Sequence, residues 1–126
     1  MKLDYIPNIN THNESVVRLY GFRKEVAGDF MYLLEERLLE DFGELDLSTV
    51  DFIEARNCNL VFRLSTDDEG IHSEDNKTFY CDLSEESYQN MIQLIEPFTK
   101  KDMRAHQYLY DLDIPIDLLF APAGTW

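Results

Sequence analysis

The feature that most constrains the fold of this chain is RKEVAGDFMYLLEERLLEDF, residues 23–42, the longest uninterrupted helical pattern in the sequence. At about 100° per residue, Val26, Ala27, Phe30, Met31, Leu33, Leu34, Leu38 and Phe42 fall on one broad face. A helix with such a stripe must bury it, so the chain needs a second layer. Gly43 is a stop signal. Gly28 costs the helix about 1 kcal/mol against alanine and marks a close approach, expected to be to a sheet.

The rest of the chain supplies strands and one more helix. Residues 15–20 (SVVRLY) are rich in β-branched and aromatic side chains and read as a strand ended by Gly21. Residues 50–56 (VDFIEAR) alternate. Residues 60–66 (LVFRLST) put Leu60, Phe62 and Leu64 on one face, with Val61, Arg63 and Ser65 opposite. A polar turn at 57–59 joins these two runs as a hairpin. Residues 67–76 (DDEGIHSEDN) are a loop or the splayed tip of a second hairpin, and 77–82 (KTFYCD) the next strand. Ser84 is placed to cap a second helix, with Glu85 and Glu86 in the first turn, where the helix dipole favours anions. Leu83 and Tyr88 have the spacing of a hydrophobic staple. Tyr88, Met91, Ile92 and Ile95 form the stripe, and Pro97 is expected to end or kink the helix. Residues 107–112 (QYLYDL) read as a strand stopped by Pro115. Periodicity leaves 116–120 open between a short strand and a helical turn. Residues 1–11 are expected as an extended arm, and 121–126 as a turn-rich tail whose Trp126 folds back onto the body.

The order β-α-β-β-β-α-β in 126 residues predicts one α+β domain, residues 1–126. Its expected architecture is a mostly antiparallel sheet of about five strands with two helices packed on one face.

Composition enters through charge. A net charge of −14 accompanies 44% apolar and 13% aromatic residues, which is enough core material to argue against disorder. Phosphate contacts need clustered Lys and Arg, and only 11 are present, so no nucleic-acid partner is expected. An anionic membrane surface would repel the chain, and no apolar run reaches the length of about 18 residues that a span requires. With no signal peptide in view, Cys58 and Cys81 read as reduced thiols in or near the core of a cytoplasmic protein.

The acid is uneven. Residues 25–54 carry ten carboxylates and one basic residue, Arg37. Residues 64–99 carry nine and one, Lys77, while the remainder is net positive. On the first helix Glu25, Asp29, Glu36 and Glu40, with Glu35, line the side opposite the apolar stripe, and Tyr32 and Leu39 lie among them. An aromatic and an aliphatic group ringed by carboxylates resembles a binding anchor with a charged rim. The plainer alternative is that both are isolated apolar residues, or are covered by the N-terminal arm. Asp67, Asp68 and Glu69 open the densest acidic run. A calcium loop there fails on spacing, because Gly70 in the glycine position would put Ser65 first and Asn76 last. Asp111, Asp113 and Asp117, with Asp82, form a third acidic group that reads as turn formers and caps near Pro115.

No catalytic signature is present. The histidines, His12, His72 and His106, have no HxxxH or HxH relation, and there is no GxSxG, phosphate loop or dinucleotide fingerprint. Cys81 sits among apolar and acidic neighbours that would raise its pKa. No enzyme activity, cofactor or metal is therefore expected.

Three functions remain in view. The first is a small protein-binding module, of immunity or inhibitor type, that neutralises a basic protein through Glu25, Asp29, Tyr32, Glu36, Leu39, Glu40, Asp67, Asp68 and Glu69. The second is a small-molecule or enzymatic domain whose pocket, between sheet and helices, is lined by Tyr80, Tyr88, Tyr108, Tyr110 or Trp126. The third is an acidic domain whose charge serves solubility alone.

Overall fold

The computed structural model describes residues 1–125. Among these described residues, nine strands and two α-helices follow in the order β1 (Lys2–Ile6), β2 (Ser15–Tyr20), α1 (Lys24–Leu34), β3 (Glu44–Asp46), β4 (Glu54–Ala55), β5 (Asn59–Leu64), β6 (Gly70–His72), β7 (Thr78–Leu83), α2 (Glu85–Lys100), β8 (Gln107–Tyr108) and β9 (Ile116–Ala121). A π-helical segment, Glu35–Glu40, continues α1.

The α+β class is as the sequence predicts, but the strands form two mixed sheets rather than one antiparallel sheet. The first has the order β4-β1-β2-β9-β8 and the second β3-β5-β7-β6. In the first, β2 runs parallel to β9, with Val17 opposite Leu118. In the second, β5 runs parallel to β7, with Phe62 opposite Cys81.

Several local expectations change for non-local reasons. The N-terminal arm contains β1, which pairs antiparallel with β2 over Lys2↔Tyr20 to Ile6↔Val16. The hairpin expected across 57–59 does not form. Residues 47–53 are a 3-10 turn and loop, and only Glu54–Ala55 pairs, in parallel with β1. Asn57 extends that edge through its side chain, accepting from the Tyr5 amide at 2.8 Å and donating to the Tyr5 carbonyl at 2.9 Å. Residues 116–121 resolve as a strand, whereas 107–112 keep only Gln107–Tyr108 in the ladder.

The helices pack on the inner faces of both sheets. Phe30 of α1 lies 6.1 Å from Phe62 and 6.0 Å from Phe120, measured between ring centroids. Phe98 of α2 meets Phe120 at 5.2 Å. Gly28 approaches α2 rather than a sheet: a Cβ there would lie 3.9 Å from Thr99. Since the π segment also touches α2, the helices run antiparallel. Ser84 caps α2 as its position predicts, accepting from the Ser87 amide at 3.2 Å. Pro97 does not end the helix, which runs on to Lys100. Burial of Phe98 against Phe22 and Phe120 holds the last turn.

Tyr110 ties the sheets together. Its hydroxyl accepts from the Ile71 amide of β6 at 3.2 Å and donates to the Ile116 carbonyl of β9. Gly70 permits that junction. Its φ is +75°, and a Cβ there would come within 2.4 Å of Ile114. Among the described residues, no helix is long and apolar enough to cross a membrane. Trp126 lies outside the described residues.

Candidate functional site

The acidic face of α1 is built from a helix that changes pitch. Its first amide, that of Lys24, is capped from 78 residues away by Asp102 Oδ1 at 2.8 Å. After Leu34 the ladder becomes π-type, with the Asp41 amide reaching the Glu36 carbonyl at 2.9 Å. Leu33 and Leu34 recur five residues later as Leu38 and Leu39. The i→i+5 turn suits that period, because it brings residues five apart closer to one face than an α turn does. Leu38 is fully buried and Leu39 packs half-buried on the core.

That change of pitch sorts the apolar residues. Tyr32 is 63% exposed. Its phenol is held above the ordinary tyrosine value, first by the charge of Glu36 and a hydrogen bond to it, then by Glu40 and Glu35. Glu25, Asp29 and Glu40 are exposed around it, and Glu36 is half-buried. Phe42, expected on the buried stripe, is instead 64% exposed. It sits past the π turn at φ 50°, where the Gly43 amide folds back onto the Arg37 carbonyl at 2.8 Å.

The other three acids of the expected surface, Asp67, Asp68 and Glu69, lie between β5 and β6. The Asp67 amide closes on Ser65 Oγ at 3.3 Å. Asp68 Oδ1 accepts from the Ser84 amide at 2.8 Å, just before α2, and that backbone bond comes first in lowering its carboxyl pKa. Glu69 stands beside His72 and Asp82 of the second sheet.

A cleft of about 770 Å³ opens between α2 and the segment around β8. Leu83, Leu94, Tyr108 and Tyr110 give it apolar walls, and Glu14, Asp111 and Asp117 an acidic rim. Burial raises the Asp117 carboxyl above its ordinary value, and the charges of Glu14 and Asp111 add to the shift. Of the aromatics expected to line a pocket, Tyr108 and Tyr110 do so. Tyr88 is instead in the core, where its hydroxyl donates toward the Arg63 and Cys81 carbonyls at 2.7 and 2.8 Å. Tyr80 lies on the outer face of the second sheet.

That outer face holds a group that sequence patterns missed. Asp82 is buried and accepts from Arg63 Nε and Nη2, both at 2.7 Å. His72 Nε2 lies 2.6 Å from Asp82 Oδ2, and the Arg63 guanidinium stacks 4.1 Å over Tyr80. Burial alone would raise the Asp82 carboxyl, but the bonds from Arg63 and His72, with their charges, outweigh it and hold the group below the usual range. Of the third acidic group, Asp82 is thus bound to Arg63 and His72, while Asp111 and Asp117 line the cleft beside α2. Alternation in residues 60–66 placed Arg63 on the outward face. The parallel pairing that sets it opposite Asp82 is not local and left no signal.

Both cysteines are buried free thiols. Burial pushes Cys58 up to about 12, with a smaller push from Asp4, and raises Cys81 further, so neither is a thiolate at neutral pH.

Comparison with protein-family models and with curated proteins finds no match to this chain. Its functional reading therefore rests on its own residues.

Proposed function

We propose that this protein is an acidic protein-binding module that docks a basic protein on the outer face of α1 and its π-helical extension, in the manner of an immunity or inhibitor protein. The carrying observation is Tyr32, 63% exposed within a ring of glutamates. An exposed aromatic ring supplies contact area at low entropic cost, and the surrounding carboxylates steer a cationic partner and set its register. Exposed Phe42 lies just past the end of the same helix, and the net charge of −14 extends the field beyond contact range. Such a partner is sought in the cytoplasm, and neither nucleic acid nor an anionic membrane fits the charge.

The test is capture of basic proteins at low ionic strength, followed by affinity measurement. Tyr32→Ala is expected to weaken the complex at least about thirtyfold through a faster off-rate, with stability unchanged. Glu36→Lys is expected to slow association, most strongly at low salt. Recovery of no basic partner, or unchanged binding by both variants, refutes the reading.

The cleft beside α2 supports a second reading, a site for a small cationic amphiphile seated on Tyr108 and Tyr110 with its charge toward Asp111 and Asp117. Loss of ligand binding in Asp117→Asn with protein binding intact would favour it over the helix face.

A further inference from the structure

We propose that Glu69, His72 and Asp82 form a three-ligand site for a divalent transition ion of the zinc class on the outer face of the second sheet. One ligand atom from each of Glu69, His72 and Asp82 lies within 4.8 Å of the other two, and His72 faces Asp82 through Nε2. One imidazole nitrogen with two carboxylate oxygens is a donor set that suits zinc, with a coordination position left open to solvent or ligand.

The backbone sets this arrangement. In the ladder between β6 and β7, Gly70 stands opposite Asp82 and His72 opposite Tyr80. The Glu69 amide donates to the Asp82 carbonyl at 2.9 Å, so all three residues are fixed to one short stretch of paired chain. Gly70 is held close against Ile114 and Leu112, where a Cβ would come within 2.4 and 3.1 Å of their side chains.

Asp82 is the fixed ligand. Arg63 holds both its oxygens, which orients the carboxylate as an outer hydrogen-bond partner orients a metal ligand. Each carboxylate oxygen has two acceptor positions, so this pairing leaves Oδ2 able to coordinate. That position is now taken by the hydrogen bond with His72 Nε2. At zinc–ligand bonds of about 2.0 Å, two ligands on a tetrahedral ion stand about 3.3 Å apart. His72 therefore has to retreat by about 0.7 Å from its 2.6 Å contact, and its half-exposed side chain is free to do so. Glu69, exposed, swings in as the third ligand.

Electrostatics favours the ion. Two carboxylates stand together here beside the Arg63 guanidinium, and Glu74 and Asp75 line the adjoining cavity of about 450 Å³ with Ser73 and Tyr80. A divalent ion would neutralise the excess, and the open position would face that cavity.

The experiment is calorimetric titration of the full chain with Zn²⁺ alone, repeated with Mg²⁺, on the wild type and on Glu69→Gln and His72→Ala. One zinc per chain is expected, weakened about tenfold or more by Glu69→Gln and lost in His72→Ala. Wild-type His72 imidazole resonances should shift on adding zinc, while those of His12 and His106 do not. Unchanged urea midpoints keep a fold defect from being mistaken for ligand loss. Equal zinc binding by His72→Ala, Mg²⁺ competing as well as Zn²⁺, or no wild-type binding in the micromolar range would each overturn the proposal.

Discussion

Two clusters of the same composition face outward, one on each sheet. On the first, Arg18 binds Asp4 through Nε at 2.7 Å and Nη2 at 3.0 Å, and its guanidinium lies 3.8 Å over Tyr20. On the second, Arg63 binds Asp82 in the same bidentate way and lies over Tyr80. In each, the Arg and Asp stand opposite in the ladder and the tyrosine is two residues along one strand, which puts all three on one face. Their surroundings differ. The Arg18 and Asp4 side chains are 15% and 14% exposed, and Tyr20 helps cover Val16, Leu119 and Ala121. Asp82 is as sealed, at 8%, but Arg63 is 35% exposed, and His72 and Glu69 stand at its open edge. The same pair is a structural clamp where apolar residues enclose it, and is chemically accessible where it borders a cavity.

The strongest way to break this comparison is to remove the arginines. Arg18→Ala leaves Asp4 in an enclosed site and uncovers apolar surface, so a loss of about 3 kcal/mol is expected. Arg63→Ala leaves Asp82 with His72 as a remaining donor and is expected to cost about 2 kcal/mol. Urea denaturation followed by circular dichroism measures both, and equal losses would show that the enclosure is immaterial.

A smaller contrast comes from the tyrosines. Tyr20→Leu is expected to cost about 1.5 kcal/mol, because it loses the cation–π contact and part of the cover, and Tyr80→Leu about 0.5 kcal/mol. Reversal of that order in the same assay would contradict the assignment of Tyr20 to a packed cluster.

Acid sharpens the comparison most finely. Asp82 has its pKa depressed in the folded state, so its stabilising share is present above the unfolded aspartate value. That share is lost as pH falls through the lower folded value. Arg63→Ala should therefore show a shallower loss of stability in acid than the wild type. Asp117 has the opposite sign: raised in the folded state, it costs stability above its folded pKa, and that cost fades on acidification. Asp117→Asn should thus raise the urea midpoint at neutral pH, with the gain gone by about pH 3, where the carboxyl is protonated in both states. A gain that persists in acid would assign the effect to packing instead.

Much of the helical structure was legible. The stripe from Ala27 through Leu38 and the Ser84 cap are local patterns, and both are realised. So was the outward parity of Arg63. The pitch change after Leu34 departs from the α-helical spacing of residues 23–42, and the repeat of leucine pairs five apart is its local trace. The parallel pairings of β2 with β9 and β5 with β7 join segments far apart in sequence, and residue pattern alone does not choose partners.

For the candidate sites the division is the same. Tyr32 among glutamates follows from helical spacing and could be read directly, because its neighbours are one turn away. Glu69 belongs to the same concentration of acid in the sequence, and the paired strands set it beside His72 and Asp82. His72 looked like a loop residue, and only the ladder places it on Asp82. By itself the sequence determined the α+β class, the two amphipathic helices and the concentration of acid. Tertiary structure alone decided which strands pair, that Phe42 stays exposed, and which carboxylates meet a cation. Helical patterns arise within a turn, whereas sheet contacts close over long loops whose ends no local spacing identifies.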